Sequence, residues 1–126
     1  MECILNLEEI VELSLIVILH LIVPELPKQY QNFTYATEAD VLNVAMFGKT
    51  AKQWREANSN LDGNIRDHAT LQQLIILSNI ESLNAEMIKQ GMGRNNRLVE
   101  LNRIAKDQMT SLLKSVGIKR LEDYNN

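Results

Sequence analysis

The sequence predicts an all-α domain built on a long antiparallel helical hairpin, with shorter helices packed against it. Three observations carry that expectation. Apolar side chains recur at spacings of three and four over two long windows. Thr-x-x-Asp or Thr-x-x-Gln, the pattern of a helix capping box, stands at residues 37, 50 and 70. No window alternates polar and apolar residues with the period of two that a half-buried strand needs. With 126 residues and 45% apolar content, the chain has the size of one ordinary core-forming domain. That excludes a two-domain enzyme, a long solenoid and a disordered tail.

The N-terminal element is the least ordinary. Residues 13–23 are apolar except for Ser14 and His20. The run is shorter than the ~20 residues of a membrane span. It follows Glu2, Glu8, Glu9 and Glu12 rather than the positive start of a signal peptide. The expectation is therefore a buried helix over residues 1–23, no membrane segment, and a cytoplasmic protein. An apolar run of this kind wants cover on all sides, which points to a homodimer or partner-protein contact through residues 13–23. Pro24 and Pro27 break the chain after it, and residues 24–126 read as a single helical domain.

Beyond the prolines, Thr37 with Asp40 opens a helix over about 38–47, which Gly48 closes. Thr50 with Gln53 opens a short helix that carries Trp54, and Asp62-Gly63 marks a turn-rich loop. Thr70 with Gln73 opens the cleanest pattern, residues 71–90. Leu71, Leu74, Leu77, Ile80, Leu83 and Met87 mark its expected core face, with Ile76 and Ile88 beside them, and Gly91 and Gly93 stop it. The second long helix covers 94–116 through Leu98, Leu101, Ala105, Met109, Leu112 and Val116, and Gly117 is expected to end it. So short a connection makes the two long helices antiparallel neighbours.

Charge is unevenly spread. Residues 1–40 hold seven acids against one base, a net −6, whereas residues 41–126 hold twelve bases against nine acids, a net +3. Lys49, Lys52 and Arg55 form one basic group. Around them the outline helix–Gly48 turn–helix, residues 38–57, resembles a helix-turn-helix that would reach phosphates. A compact helical corner with Trp54 in the core explains the same residues. A second basic stretch, Arg94, Arg97, Arg103, Lys106 and Lys114, is opposed by Glu100 and Asp107, the pattern of a solvated face with intrahelical pairs or of a nucleic-acid surface. Asn79, Glu81 and Asn84 are polar positions on an otherwise apolar helix. Either they tie the loop at Arg66-Asp67 to the helix pair or they form a patch for a protein partner.

Catalytic signals are lacking. Gly48-Lys49-Thr50 has the last letters of a phosphate-binding loop without its upstream glycine. Cys3, His20 and His68 are isolated, so neither metal ligation nor a cofactor is expected. No G-x-S-x-G elbow occurs. The single cysteine excludes an intrachain disulfide and suits a reducing compartment. The expectation is a protein without enzymatic activity.

The strings EADVLNVAMFGKTAKQWREAN, GNIRDHATLQQLIILSNIESLNAEMIKQG and RLVELNRIAKDQM resemble the C-terminal region of KilA-N domain proteins, which are phage-derived and bacterial DNA-binding proteins. The resemblance covers residues 21–113. It implies a non-catalytic accessory, interaction or oligomerisation domain, with DNA bound through a separate N-terminal module that has no counterpart here. An antitoxin or antirepressor setting is compatible with it. The family's DNA-binding residues cannot be carried over. Residues 1–20 also depart from the family's more polar connector.

Overall fold

All three expected capping boxes form. In each, the threonine hydroxyl accepts the backbone N–H three residues on, and the side chain there accepts the threonine N–H: Asp40 for Thr37, Gln53 for Thr50 and Gln73 for Thr70. Each box satisfies amides that the first helical turn leaves without an intrahelical acceptor. They open α1 (Glu38–Phe47), α2 (Ala51–Ala57) and α3 (Leu71–Lys89), and a fourth helix follows, α4 (Arg94–Asn125). The computed structural model describes residues 6, 22–28, 30 and 37–125, with the backbone alone over 116–125. Among these residues there is no strand, and no helix is long and apolar enough to cross a membrane. The expected N-terminal helix over 1–23, and the contact assigned to residues 13–23, lie outside the described residues except for Ile22 and Val23.

The helix ends are equally local in origin. Gly48 adopts φ 76° and donates its N–H to the Val44 carbonyl, a left-handed cap that a side chain would strain. A Cβ at Gly48 would also stand 3.3 Å from two carbons of the Pro24 ring. At the hairpin tip, Gly91 (φ 79°) bonds back to Ile88 and Met92 bonds back to Met87, each at 3.0 Å. This is a Schellman stop.

Side-chain pairings fix the packing. Asn79 meets Gln108 and Asn84 meets Arg97, so α3 and α4 are antiparallel. Glu38 meets Arg94 and Arg97 while the Ala45 carbonyl meets Asn102, so α1 runs beside α4 in the same direction. The shared core consists of Val41, Leu42, Val44, Ala45 and Met46 from α1, Ile76, Leu77, Ile80 and Met87 from α3, and Leu98, Leu101, Ala105 and Met109 from α4. Val23 is buried in it too, so the body of the domain begins at least one residue before the prolines. Pro24 and Glu25 lie against α4: Asn102 donates to the Pro24 carbonyl at 3.2 Å, and Lys106 pairs with Glu25.

Three expectations change. The buried face of α3 is Ile76, Leu77, Ile80, Asn84 and Met87, whereas Leu71 is 68% exposed and Leu74 38%. Positions spaced repeatedly by three drift round a helix, so Leu71 lies opposite Ile80 and cannot share its face; the buried side carries Asn84 instead. Gly117 does not end α4, which continues to Asn125. A glycine inside a helix costs about 1 kcal/mol relative to alanine, and the helix-compatible Lys119, Arg120, Leu121 and Glu122 follow it. Trp54 is buried, but in a satellite outside the main core. It stands against His68 with ring centroids 5.1 Å apart, and His68 Nε2 contacts the Asp62 carbonyl at 2.7 Å.

Candidate interaction surface

The basic residues singled out by the sequence separate into two groups. Arg97, 6% exposed, is an interior residue. Its guanidinium donates to Glu38 Oε1 at 2.5 Å, Asn84 Oδ1 at 2.8 Å and the Met92 carbonyl at 3.0 Å. Arg94 contacts the other Glu38 oxygen at 3.4 Å. Arg97 therefore cannot serve as a phosphate contact, because leaving Glu38 would break a buried network. Hydrogen bonding from Arg97, helped by Asn84 and by the positive charge of Arg94, pulls the Glu38 carboxyl from 4.5 down to about 2. Arg103 is exposed but lies between Glu100 and Asp107 on its own helix, the intrahelical pairing expected of a solvated face. Its hydrogen bond holds Glu100 below the usual carboxylate range, and the Glu100 contact raises Arg103.

The other group is different. Between Arg66 and Lys106, the bases Arg66, Lys89, Arg94, Arg97, Arg103 and Lys106 are all in ion pairs, whereas Lys114 stands alone without an acidic partner among the described residues. Lys49, Lys52 and Arg55 have no acidic partner among the described residues. They share the corner formed by Gly48 and α2, where Lys52 and Arg55 are exposed and Lys49 is half-buried. The α1 that precedes this corner is buried at every position from Val41 to Met46. It is a central helix of the core.

Asn79, Glu81 and Asn84 do not form one patch. Asn84, 3% exposed, belongs to the Arg97–Glu38 network. Glu81 pairs with Arg66 at 3.0 Å and so ties the 58–70 loop to α3. Asn79 donates to Gln108 across the α3–α4 seam at 3.1 Å. That hydrogen bond lies in a shallow open groove of about 310 Å³, lined by Ile75, Ile76 and Asn79 from α3 and by Asp107, Gln108, Ser111 and Leu112 from α4. The groove holds one carboxylate, Asp107, which is bonded to Arg103 at 2.8 Å. One carboxylate already held by an arginine does not make an acid–base pair. Among the described residues, no group of three or more His, Cys, Asp or Glu could hold a metal ion.

What the sequence pattern obscured is the outer face of α3. Leu71, Leu74, Ile75 and Ile88 are exposed, Ile75 by 45%. The residues between them on that face, Ser78, Ser82 and Ala85, are exposed, small and uncharged. Glu81, which lies between Leu74 and Ile88, and Glu86 at the far edge are engaged by Arg66 and Lys89. A solvated helix ordinarily presents lysines and glutamates there. The sequence does contain a signal for this face. Residues 71–88 have apolar positions on two sides of the helix, more than one core face requires.

No family model, no curated protein and no solved structure matches the chain.

Proposed function

We propose that this chain is a non-catalytic interaction or oligomerisation domain, serving a mobile-element DNA-binding protein of the KilA-N type. The observation that carries the reading is the exposed outer face of α3, from Leu71 to Ile88, apolar or small except for the ion-paired Glu81, on a helix whose other side is committed to the core. Support for a non-catalytic role comes from how the polar groups are used. Glu38, Asn84, Arg97 and Asn102 hold helices together, and Asp40, Gln53 and Gln73 cap them. The resemblance of residues 21–113 to the region that accompanies a KilA-N module supplies the setting. The test is a fusion of the full chain to a DNA-binding module deprived of its own dimerisation region. Repression from a two-half-site operator is expected to recover. A well-expressed fusion that represses no better than the module alone overturns the reading.

A second reading is direct DNA contact, favoured by one observation: Lys49, Lys52 and Arg55 are the basic cluster without acidic partners. Three phosphate contacts give a log–log salt slope of about −2.7 for affinity to duplex DNA. Absence of binding at low salt, or binding unchanged in Lys52→Gln/Arg55→Gln, disposes of it.

A further inference from the structure

We infer that Asp62 is a site of spontaneous covalent modification, at which the chain isomerises from aspartyl to isoaspartyl through a succinimide formed with Gly63. The 58–70 loop leaves both reacting groups free. Asp62 and Gly63 are exposed, and among the described residues the Asp62 carboxylate meets no donor and the Gly63 N–H no acceptor. The fold also holds a glycine at the second position. Gly63 has φ 87°, and a Cβ on it would stand 2.7 Å from Asp67 Oδ2, which accepts the Asn64 N–H at 2.8 Å. The nitrogen beside Asp62 is therefore the kind that no neighbouring side chain shields.

The Gly63 nitrogen attacks Cγ of the Asp62 carboxylic acid, a C–N bond forms, and the acid hydroxyl leaves as water with the amide proton. Ring closure is intramolecular, so no catalyst has to bring the groups together. Water then opens the succinimide. Attack at Cγ restores aspartate, whereas attack at the former main-chain carbonyl leaves the chain running through Cβ and Cγ with the α-carboxylate free. One water is lost and one gained, so mass and net charge are unchanged. The product gains a partner that the starting carboxylate lacks. The Asp62 carbonyl oxygen, 2.7 Å from His68 Nε2, becomes part of the free α-carboxylate, and a neutral contact becomes a charge-assisted one. His68 stands against Trp54, so the added main-chain carbon is felt at the indole. The other aspartates with described side chains are differently placed. Asp40 accepts from Thr37, Asp67 from Asn64 and Asp107 from Arg103, and the residues after them, Val41, His68 and Gln108, carry side chains that crowd the attacking nitrogen.

The experiment is prolonged incubation of the full, folded chain in mildly acidic to neutral buffer. Isoaspartate is located by peptide mapping with electron-transfer fragmentation and counted with a protein isoaspartate methyltransferase and labelled S-adenosylmethionine. Isoaspartate at residue 62 is expected to exceed that at Asp40, Asp67 or Asp107 by about tenfold or more, a barrier difference of roughly 1.4 kcal/mol. Asp62→Glu keeps the charge and Gly63 but would need a six-membered ring, and it is expected to remove most of the methyl label. The isoaspartyl fraction, separated by chromatography, is expected to show shifted Trp54 fluorescence. Equal accumulation at the other aspartates, or label undiminished in Asp62→Glu, overturns the proposal. Unaltered fluorescence of the isoaspartyl fraction overturns the placing of the new carboxylate at His68.

Discussion

Substituting Glu38 by glutamine isolates the charge that joins three helices. The amide keeps the shape and can still accept from Asn84, but it removes the negative partner of Arg97, whose side chain is 8% exposed. Arg97 retains its bonds to the Met92 carbonyl and Asn84 Oδ1, so it is left underpaired rather than stranded. The depressed Glu38 carboxyl sets the scale. A fall from 4.5 to about 2, at ~1.4 kcal/mol per pH unit, corresponds to about 3.4 kcal/mol at most. The Glu38 side chain is 38% exposed, so solvent screening reduces this to about 2 kcal/mol. Because the folded protein binds this proton less tightly than the unfolded chain, the contribution is complete above about pH 5 and is lost as pH falls toward 2. Urea unfolding of parent and Glu38→Gln at a series of pH values reads the difference directly, since other titrating groups cancel. The gap is expected near 2 kcal/mol from pH 7 to 5 and to close progressively below pH 4.5. A gap under about 0.5 kcal/mol at pH 7, or one independent of pH down to 2.5, refutes the assignment of the network as the interhelical lock.

Further substitutions probe single joints. Asn102→Ala removes two donated bonds, to the Ala45 and Pro24 carbonyls, and strands a carbonyl near the end of α1; a loss of about 1–3 kcal/mol in urea unfolding is expected. Gly48→Ala forces a Cβ into φ 76° against Pro24, so thermal unfolding is expected to report a loss of about 1 kcal/mol or more, with the helix content unchanged. Thr70→Ala opens the capping box of α3 and costs about 1 kcal/mol; amide exchange at Gln73 is expected to speed up before exchange at Ile80 does. His68→Ala removes the ring standing against Trp54, the single tryptophan, so its fluorescence is expected to shift while unfolding of the main core is little changed.

What the sequence disclosed about the fold follows the range of the forces involved. The capping boxes at Thr37, Thr50 and Thr70, the left-handed stop at Gly48 and the Gly91 hairpin tip each depend on contacts within five residues, and each was readable. The intrahelical pairs of Arg103 with Glu100 and Asp107 were readable for the same reason. The end of α4 was misplaced because Gly117 resembles a stop only if nothing after it favours helix. Its ~1 kcal/mol penalty is within reach of the residues that follow.

The orientation of α3 depended on forces of the other kind. Leu71, Leu74, Ile80 and Met87 all satisfy helical spacing, and apolar periodicity alone cannot choose between two apolar faces. The choice is made by Asn84, which enters the core because Glu38 and Arg97, 46 and 13 residues away in sequence, provide its partners. Leu71 and Ile80 stand nine residues apart, half a turn round the helix, so no orientation of α3 buries both; the side that is buried is the one on which Asn84 finds its partners. The candidate site follows from the same choice. Leu71 and Leu74, with Ile75 and Ile88, are the apolar side chains left exposed on the outer side of α3. The lock between α1, α3 and α4 and the exposed apolar face are therefore opposite sides of one helix, with Ile76, Ile80, Asn84 and Met87 turned inward and Leu71, Ile75, Ser78 and Ser82 turned outward.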